Sequence, residues 1–291
     1  MNFRLDLEKA YFKSLKRYLK RAKFRESKES DRLTVSSYKE ECDYCVEFRN
    51  LKGVDFFNKI NTTKMLLDCD YLPPSLIIKN KKDWRNLSLN KNNFYFIKPK
   101  YGAYCKNISV TKGKEIFINN DDSLSNIPFS IQEEIIPKLC NNVRVDYRTY
   151  VLYVKENSNI NVYYLPHHLK RVSYEKFDSR NADSFFTTKL DSVVFNTSKK
   201  LIDCLKDCQK FIIPKFNKTS LSKVEYFLTG YDLIEDREGK FWILEINSDP
   251  NFFHNDIVTK THQNIFKDIV NSITGHMENN KLEFEYFIKL I

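Results

Sequence analysis

Asp232, Glu245 and Asn247 are the side chains of this sequence best spaced to hold a divalent cation together. They flank the polar stretch Asp236-Arg237-Glu238-Gly239-Lys240 within residues 226–250, where two apolar-rich segments around a polar turn read as a β-hairpin. With the turn centred between Glu238 and Gly239, Arg237 faces Lys240, Ile234 faces Ile243, and Asp232 faces Glu245. The two acidic Cβ atoms then lie about 4.5–5.5 Å apart on one face. Asn247 points the same way. Two carboxylates that close repel, so one takes up a proton unless a cation sits between them. An Asp, a Glu and an Asn carbonyl make a hard oxygen set suited to Mg²⁺, which keeps waters and shares its other positions with phosphates. The competing reading puts both acids on the wet face of an antiparallel sheet. An odd loop or a bulge would also move them out of register.

A second row of charge lies upstream. Between Val143 and Val154, Arg144, Asp146 and Arg148 share one face of a strand by the period of two, with Val143, Val145 and Tyr147 on the other. Such a row either faces solvent or lines a polar site. Other chemistries are excluded by spacing. The chain has 6 glycines, and the closest two, Gly230 and Gly239, are too far apart for a P-loop, a dinucleotide fingerprint or a serine-hydrolase elbow. None of the 5 histidines opens an H-E-x-x-H motif, so chemistry here rests on carboxylates, lysines and arginines. Cys42-x-x-Cys45 and Cys204-x3-Cys208 are the one cysteine arrangement with ligand-like spacing, against a default of packed thiols. His167-His168 read as loop or strand-edge polar residues, or as substrate contacts beside Arg171.

The elements that must position these residues are legible in outline. At 291 residues, 42% hydrophobic and 30% charged, the chain can bury a core and is not of disordered composition. No apolar run approaches the ~20 residues of a membrane span. The first residues hold early acids and no apolar h-region, so no secretory signal is expected. The 7 cysteines then read as reduced thiols, and the expected location is cytoplasmic. Net charge is +10, and residues 1–28 hold ten basic side chains against three acids. Leu5, Tyr11, Phe12, Leu15, Tyr18 and Leu19 recur there at helical spacing, giving a basic amphipathic helix. Its cationic face could meet nucleic acid, an anionic membrane or an acidic protein, or its apolar stripe simply docks on the body. Residues 26–37 read as a linker or exposed loop. Thr62–Leu67 reads as part of a helix with a threonine near its start, followed by strands at Ser75–Ile78, Phe94–Pro99 and Ser130–Pro137. Residues 199–213 and 256–277 read as helices.

Taken in chain order, Ile97-Lys98-Pro99, Gln132-Glu133-Glu134-Ile135, Arg144-Val145-Asp146-Tyr147-Arg148, Lys170-Arg171-Val172-Ser173, then Asp232 and Glu245-Ile246-Asn247-Ser248-Asp249-Pro250 resemble the ATP-grasp ligases. Within them the series is most similar to the tubulin–tyrosine-ligase-like family, over about residues 55 to 255. That family typically shows a "vKP" strand, a "Q-x-Y-I" hinge, a "K-F-D-x-R" strand and an "E-x-N-x-x-P" strand after an upstream Asp. The resemblance implies an α/β (α+β) fold of ATP-grasp architecture, its nucleotide held between a small central lobe and a C-terminal antiparallel-sheet lobe. Residues 1–74 would carry the basic helix and an N-terminal lobe, 75–131 the central lobe, and 132–291 the C-terminal lobe with the metal site. Lys98 would contact the ATP phosphates, and the backbone of Gln132, Glu133, Glu134 and Ile135 would pair with adenine. Asp232, Glu245 and Asn247 would hold one or two Mg²⁺ on the triphosphate. Arg148 would stabilise the transferred phosphate, Arg144 would stand where the family has lysine, and Arg171 would grip an amino-acid carboxylate. Lys64 resembles a further lysine that reaches the nucleotide.

The implied activity joins an amino acid to a carboxylate through an acyl phosphate, with a protein side chain or tail among the acceptors. The positive charge suits an acidic acceptor. The family's mobile loop usually reads "G-x-G-I", whereas here those glycines fall at Cys105 and Asn107 within residues 101–108. Cysteine does not readily take a left-handed backbone, which leaves room for an altered reaction or an inactive relative. Two rivals follow. One is an ATP-grasp kinase acting on a polyanionic small molecule such as an inositol phosphate. The other is a basic module that binds nucleic acid or acidic protein through residues 1–28 without turnover.

Overall fold

Tyr150-Val151-Leu152-Tyr153-Val154 is buried at every residue, the pattern of a strand covered on both faces, and the chain is built around it. The computed structural model describes residues 2–5, 12–26, 33–36, 44–47, 56, 58–101, 108–116, 127–178, 189–195, 197–216, 223–248 and 256–291. In chain order these form β1 (Asn2–Leu5), α1 (Phe12–Arg21), β2 (Arg25–Glu26), β3 (Leu33–Ser36), β4 (Tyr44–Glu47), α2 (Lys59–Leu66), β5 (Ser75–Ile78) and α3 (Lys81–Arg85). Next come β6 (Phe94–Pro99), β7 (Ser109–Lys112), α4 (Gly113–Ile116), β8 (Phe129–Glu133), β9 (Val143–Glu156), β10 (Asn159–Lys176) and β11 (Lys189–Phe195). The last are α5 (Lys199–Ile212), β12 (Val224–Glu235), β13 (Phe241–Asn247), α6 (Asp256–Asn279) and β14 (Ile288–Lys289). The fold is α+β, with two sheets among the described residues.

The larger sheet runs β11-β10-β9-β12-β4-β3-β1-β2, with β13 also on β12 and β14 on β10. Its β11-β10-β9-β12 part is antiparallel, and its β4-β3-β1-β2 wing is parallel. Two tight turns set β9. Asn141 and Asn142, both at positive φ, close a hydrogen-bonded turn between Cys140 and Val143, as a two-residue reversal demands. Asn157, also at positive φ, turns β9 into β10. On one face of this sheet Tyr150, Leu152, Val154, Tyr226 and Leu228 pack beneath α6 and α1. On the other Val151, Tyr153, Phe227, Tyr231 and Ile243 pack against α2 and α5. Three tyrosine hydroxyls under α6 bond its polar residues: Tyr150 to His262 (3.0 Å), Tyr226 to Ser272 (3.1 Å) and Tyr44 to His276 (3.1 Å). Paired hydroxyls let the helix bury a mixed face without orphaned polar groups.

The smaller sheet, β5-β8-β6-β7, is antiparallel. Tyr95, Ile97, Phe129 and Ile131 face its own core with Trp84 and Ile116. The alternate residues Phe96, Lys98, Ser130 and Gln132 therefore face the opposite way.

Several expectations change at the N-terminus. Asn2–Leu5 is a strand, so the helix is confined to Phe12–Arg21. Its Leu15 and Leu19 are fully buried on the α6 side, which is the docked alternative, with Arg17, Lys20 and Arg21 outward. Leu33–Ser36, expected as linker, is a strand paired with β1 and β4. The strand expected over Ser130–Pro137 ends at Glu133. Among the described residues no helix is long and apolar enough to cross a membrane.

Candidate functional site

The expected acid pair forms, by a route the sequence did not predict. β12 and β13 join through the five residues Asp236–Lys240, with Gly239 at φ 77°. Near the turn Ile234 pairs with Trp242, not with Ile243 as expected. A bulge between Asp232 and Leu233 then makes Leu244 the extra residue of β13 and brings Asp232 opposite Glu245. Gly230 faces Asn247 two pairs further on.

Asp232 is the hub. Arg148, its neighbour on β9, grips it with both nitrogens: Nε donates to Oδ1 and Nη2 to Oδ2, each at 2.8 Å. Arg171 Nη2 lies 3.1 Å from Oδ1, and Asn247 Nδ2 donates to Oδ2 at 3.2 Å. Arg171 in turn donates through Nε to Asp146 Oδ1 at 2.5 Å. Burial alone would raise the Asp232 carboxyl; Arg148 and Arg171 overcome it and hold the group at about 2. Burial likewise opposes the charge on both arginines, and the facing carboxylates raise their pKa values despite it. The charged row Arg144, Asp146 and Arg148 is thus buried in a polar site and not exposed to solvent.

Two lysines reach the same hairpin from other elements. Asn58 Oδ1 caps α2, accepting from the backbone N–H of Ile60 (3.1 Å) and Asn61 (3.4 Å). The next residue, Lys59, is buried and pairs with Glu245 Oε1, while its own N–H donates to Lys100 O at 3.0 Å. Lys98 crosses from β6, donating to Gln132 Oε1 at 2.5 Å and to the carbonyl of Leu244 at 3.0 Å. Arg144 donates to Glu134 and lies over the Phe96 ring, 5.7 Å from its centroid. Each acid therefore has its own cationic partners, Lys59 for Glu245 and two arginines for Asp232, and these are side chains.

Of the residues expected at the site, Lys98, Gln132, Glu134, Arg144, Arg148, Arg171, Asp232, Glu245 and Asn247 belong to this network. Lys64 does not. It is exposed on the outward face of α2 with Asn61, opposite the buried Ile60, Thr63 and Leu66. Glu133 turns aside to accept from Asn93 Nδ2 at 2.7 Å, and Ile135 is half-buried just past β8. Lys59 and Asp146 are members that the sequence reading did not assign. The asparagine before Lys59 was the available signal for the first, and the middle position of Arg144–Arg148 for the second. Residues 102–107, 249 and 250 lie outside the described residues, as does Cys42. Cys204 and Cys208 are fully buried on α5, and burial pushes both thiols well up, so they pack as neutral groups.

Asp232, Glu245 and Asn247 could together offer two carboxylates and an amide oxygen to a hard cation. Among the described residues no group of three His, Cys, Asp or Glu is placed to hold a metal, so phosphate or water oxygens would complete any such shell. The crevice bounded by Lys59, Thr63, Lys98, Leu244 and Glu245 is about 10 Å³, room for one water. A nucleotide enters only if the small sheet and α2 draw back from β13.

His168 is an interior position of the large sheet, paired to both β9 and β11, and not a loop or strand-edge residue. Its Nδ1 and Nε2 lie 2.8 Å from Thr149 Oγ1 and Thr197 Oγ1. Thr197 donates to Pro166 O at 3.3 Å, so it accepts from Nε2–H and the ring is neutral. Burial first, then His167, lower its pKa from 6.5 to about 4. The unfolded chain takes up this proton at higher pH than the folded one. Stability is therefore fully present above about pH 6.5 and falls by roughly 3 kcal/mol as pH drops to about 4. Denaturant unfolding across that window is expected to show the slope in the wild type and to lose it in His168→Gln.

No protein-family model matches this chain, and no curated protein matches it either.

Proposed function

We propose that the protein is an ATP-grasp enzyme, a Mg-ATP-dependent carboxylate–amine ligase. The observation that carries this reading is the convergence of Lys98, from the small antiparallel sheet, on the strand that presents Glu245 beside Asp232 and its two arginines. A fixed cation facing an acid pair between two sheets is what a triphosphate with its metal needs.

In that reaction a carboxylate oxygen of the acceptor attacks the γ-phosphorus and ADP leaves, giving an acyl phosphate. The amine of the amino acid then attacks the acyl carbon, an amide forms, phosphate departs and the nitrogen gives up a proton. Mg²⁺ on Asp232, Glu245 and Asn247 would neutralise phosphate oxygens. Lys98 and Lys59 reach the phosphate end, and Arg148 lies beside Asp232 where charge moves during transfer. Arg171, steadied by Asp146, is a planar donor fork matched to a carboxylate. No cysteine or histidine nucleophile is required. Because Arg148 and Arg171 are already balanced by Asp146 and Asp232, the cluster suits a single carboxylate better than a polyphosphate acceptor. This favours ligase over kinase.

The test is incubation with Mg-ATP, a glutamate-rich peptide and each amino acid in turn, with ADP as the readout. ADP release that needs both the peptide and one particular amino acid is the expected result. A phosphorylated acceptor without an amine requirement would mean kinase. Absence of both ADP and any thermal stabilisation by Mg-ATP would reject the enzyme reading and leave a binding module.

A further inference from the structure

Asp232 and Glu245 stand opposite each other on the hairpin, but their charges are held in unequal ways. Asp232 takes a two-nitrogen grip from Arg148 and a further contact from Arg171, and all three groups are buried within the large sheet. Glu245 is more open, with 24% of its side chain exposed, and among the described residues its one ionic partner is Lys59. That ammonium comes from outside the sheet, on the first residue of α2, and is itself only 6% exposed.

Backbone contacts place Lys59 there as firmly as its charge does. Asn58 caps the helix just before it, and Thr63 Oγ1 donates to Lys59 O at 2.9 Å. Its own N–H donates to Lys100 O at 3.0 Å, and Lys100 directly follows β6, the strand of the small sheet that carries Lys98. The ammonium therefore moves with the start of α2 and the small sheet, the parts that must draw back before a nucleotide enters. Until they do, it holds the carboxylate that a divalent cation would need.

A buried ammonium stripped of its carboxylate is left as an uncompensated charge, which is strongly unfavourable. A cation arriving alone at Glu245 has to strand Lys59 in that way. A cation arriving with a triphosphate does not, because the phosphate oxygens give the ammonium a new anion. We propose that Lys59 is a latch on the metal site, closing Glu245 to a free divalent ion and yielding it to one that comes with its nucleotide. This rests on the Mg-ATP reading above. Metal and triphosphate then each raise the affinity of the site for the other.

The probe is Mn²⁺ alone, its binding followed by electron paramagnetic resonance. Lys59→Met frees Glu245 and is expected to bind Mn²⁺ about tenfold more tightly than the wild type, within the usual range of coupling between two sites. Lys64→Met removes the same charge from the outward face of the same helix and is expected to bind as the wild type does. Equal gains in the two variants would make the effect one of general charge and overturn the latch. So would equal affinities in the wild type and a Lys59→Met protein that unfolds cooperatively in denaturant. A second measurement needs no variant. Trace acetylation read by mass spectrometry is expected to label Lys59 several-fold faster along the Mn²⁺ binding curve, with Lys64 unchanged. Labelling of Lys59 that stays flat along that curve overturns the inference and leaves the Mg-ATP reading standing. If Mn²⁺ binds neither the wild type nor Lys59→Met, the latch is rejected, and thermal stabilisation by Mg-ATP decides separately whether the nucleotide reading survives.

Discussion

Asp232→Asn is expected to abolish nucleotide turnover and to weaken the fold at the same time. The carboxylate is the shared counter-charge of Arg148 and Arg171, both buried. An asparagine keeps the shape, leaves Arg148 without its carboxylate and leaves Arg171 with Asp146 alone, a change that costs about 3–5 kcal/mol in comparable buried pairs. Turnover is expected to drop by about 10²–10³ or more from the lost charge alone. Replacing Arg148 by Met in the Asp232→Asn background separates the effects: part of the stability returns, and turnover does not. Acid titration gives an independent check. The folded carboxyl titrates at about 2, below its ordinary 3.8. Its contribution is present above about pH 4 and is lost as pH falls through about 2, roughly 2 kcal/mol in all. The variant should lack this loss. Undiminished ADP production by Asp232→Asn would remove the acid pair from the proposed mechanism.

The second large effect is expected far from the hairpin, at Asp268. This buried carboxylate on α6 accepts from three successive backbone amides, Glu285 (3.0 Å), Tyr286 (2.6 Å) and Phe287 (2.7 Å). They hold the chain that leads into β14 and, through Leu290 N–H to Val162 O at 2.7 Å, the C-terminus on β10. Asp268→Ala strands three donors, each worth about 1–3 kcal/mol when buried without a partner. A loss of about 3 kcal/mol or more is expected in denaturant unfolding. Hydrogen exchange should accelerate first at residues 285–287. Asp268→Asn, which keeps one acceptor, should fall between the two. Unchanged exchange at these amides in the alanine variant would show that they are held by other means.

What could be read from the sequence was whatever local pattern dictates. Ser75–Ile78, Phe94–Pro99 and the long strand from Val143 were visible as apolar or alternating runs, and α5 and α6 as helical periods. The acid pair was visible because a hairpin is a local object. The start of α2 was missed: Thr62 and Asn58 are both good caps, and only the bond from Lys59 N–H to Lys100 O, a contact distant in sequence, favours the earlier one. Leu33–Ser36 looked like linker because a four-residue strand has too few side chains to show a period, and its pairing with β1 and β4 is non-local. His168 looked like an edge residue since nothing nearby in sequence announces Thr149 and Thr197 as its partners.

Leu244 shows how a backbone irregularity can carry a tether. The ammonium of Lys98 fastens the small sheet to the peptide carbonyl of this surplus residue, not to its side chain. Changing the side chain, as in Leu244→Ala, leaves the fastening whole. Excising the residue lets Glu245 slide into the regular ladder still opposite Asp232, while the carbonyl that Lys98 grasped is gone. The spacing of the acids and the grip between the sheets are thus separable by a single deletion, in a way no substitution at that position can achieve.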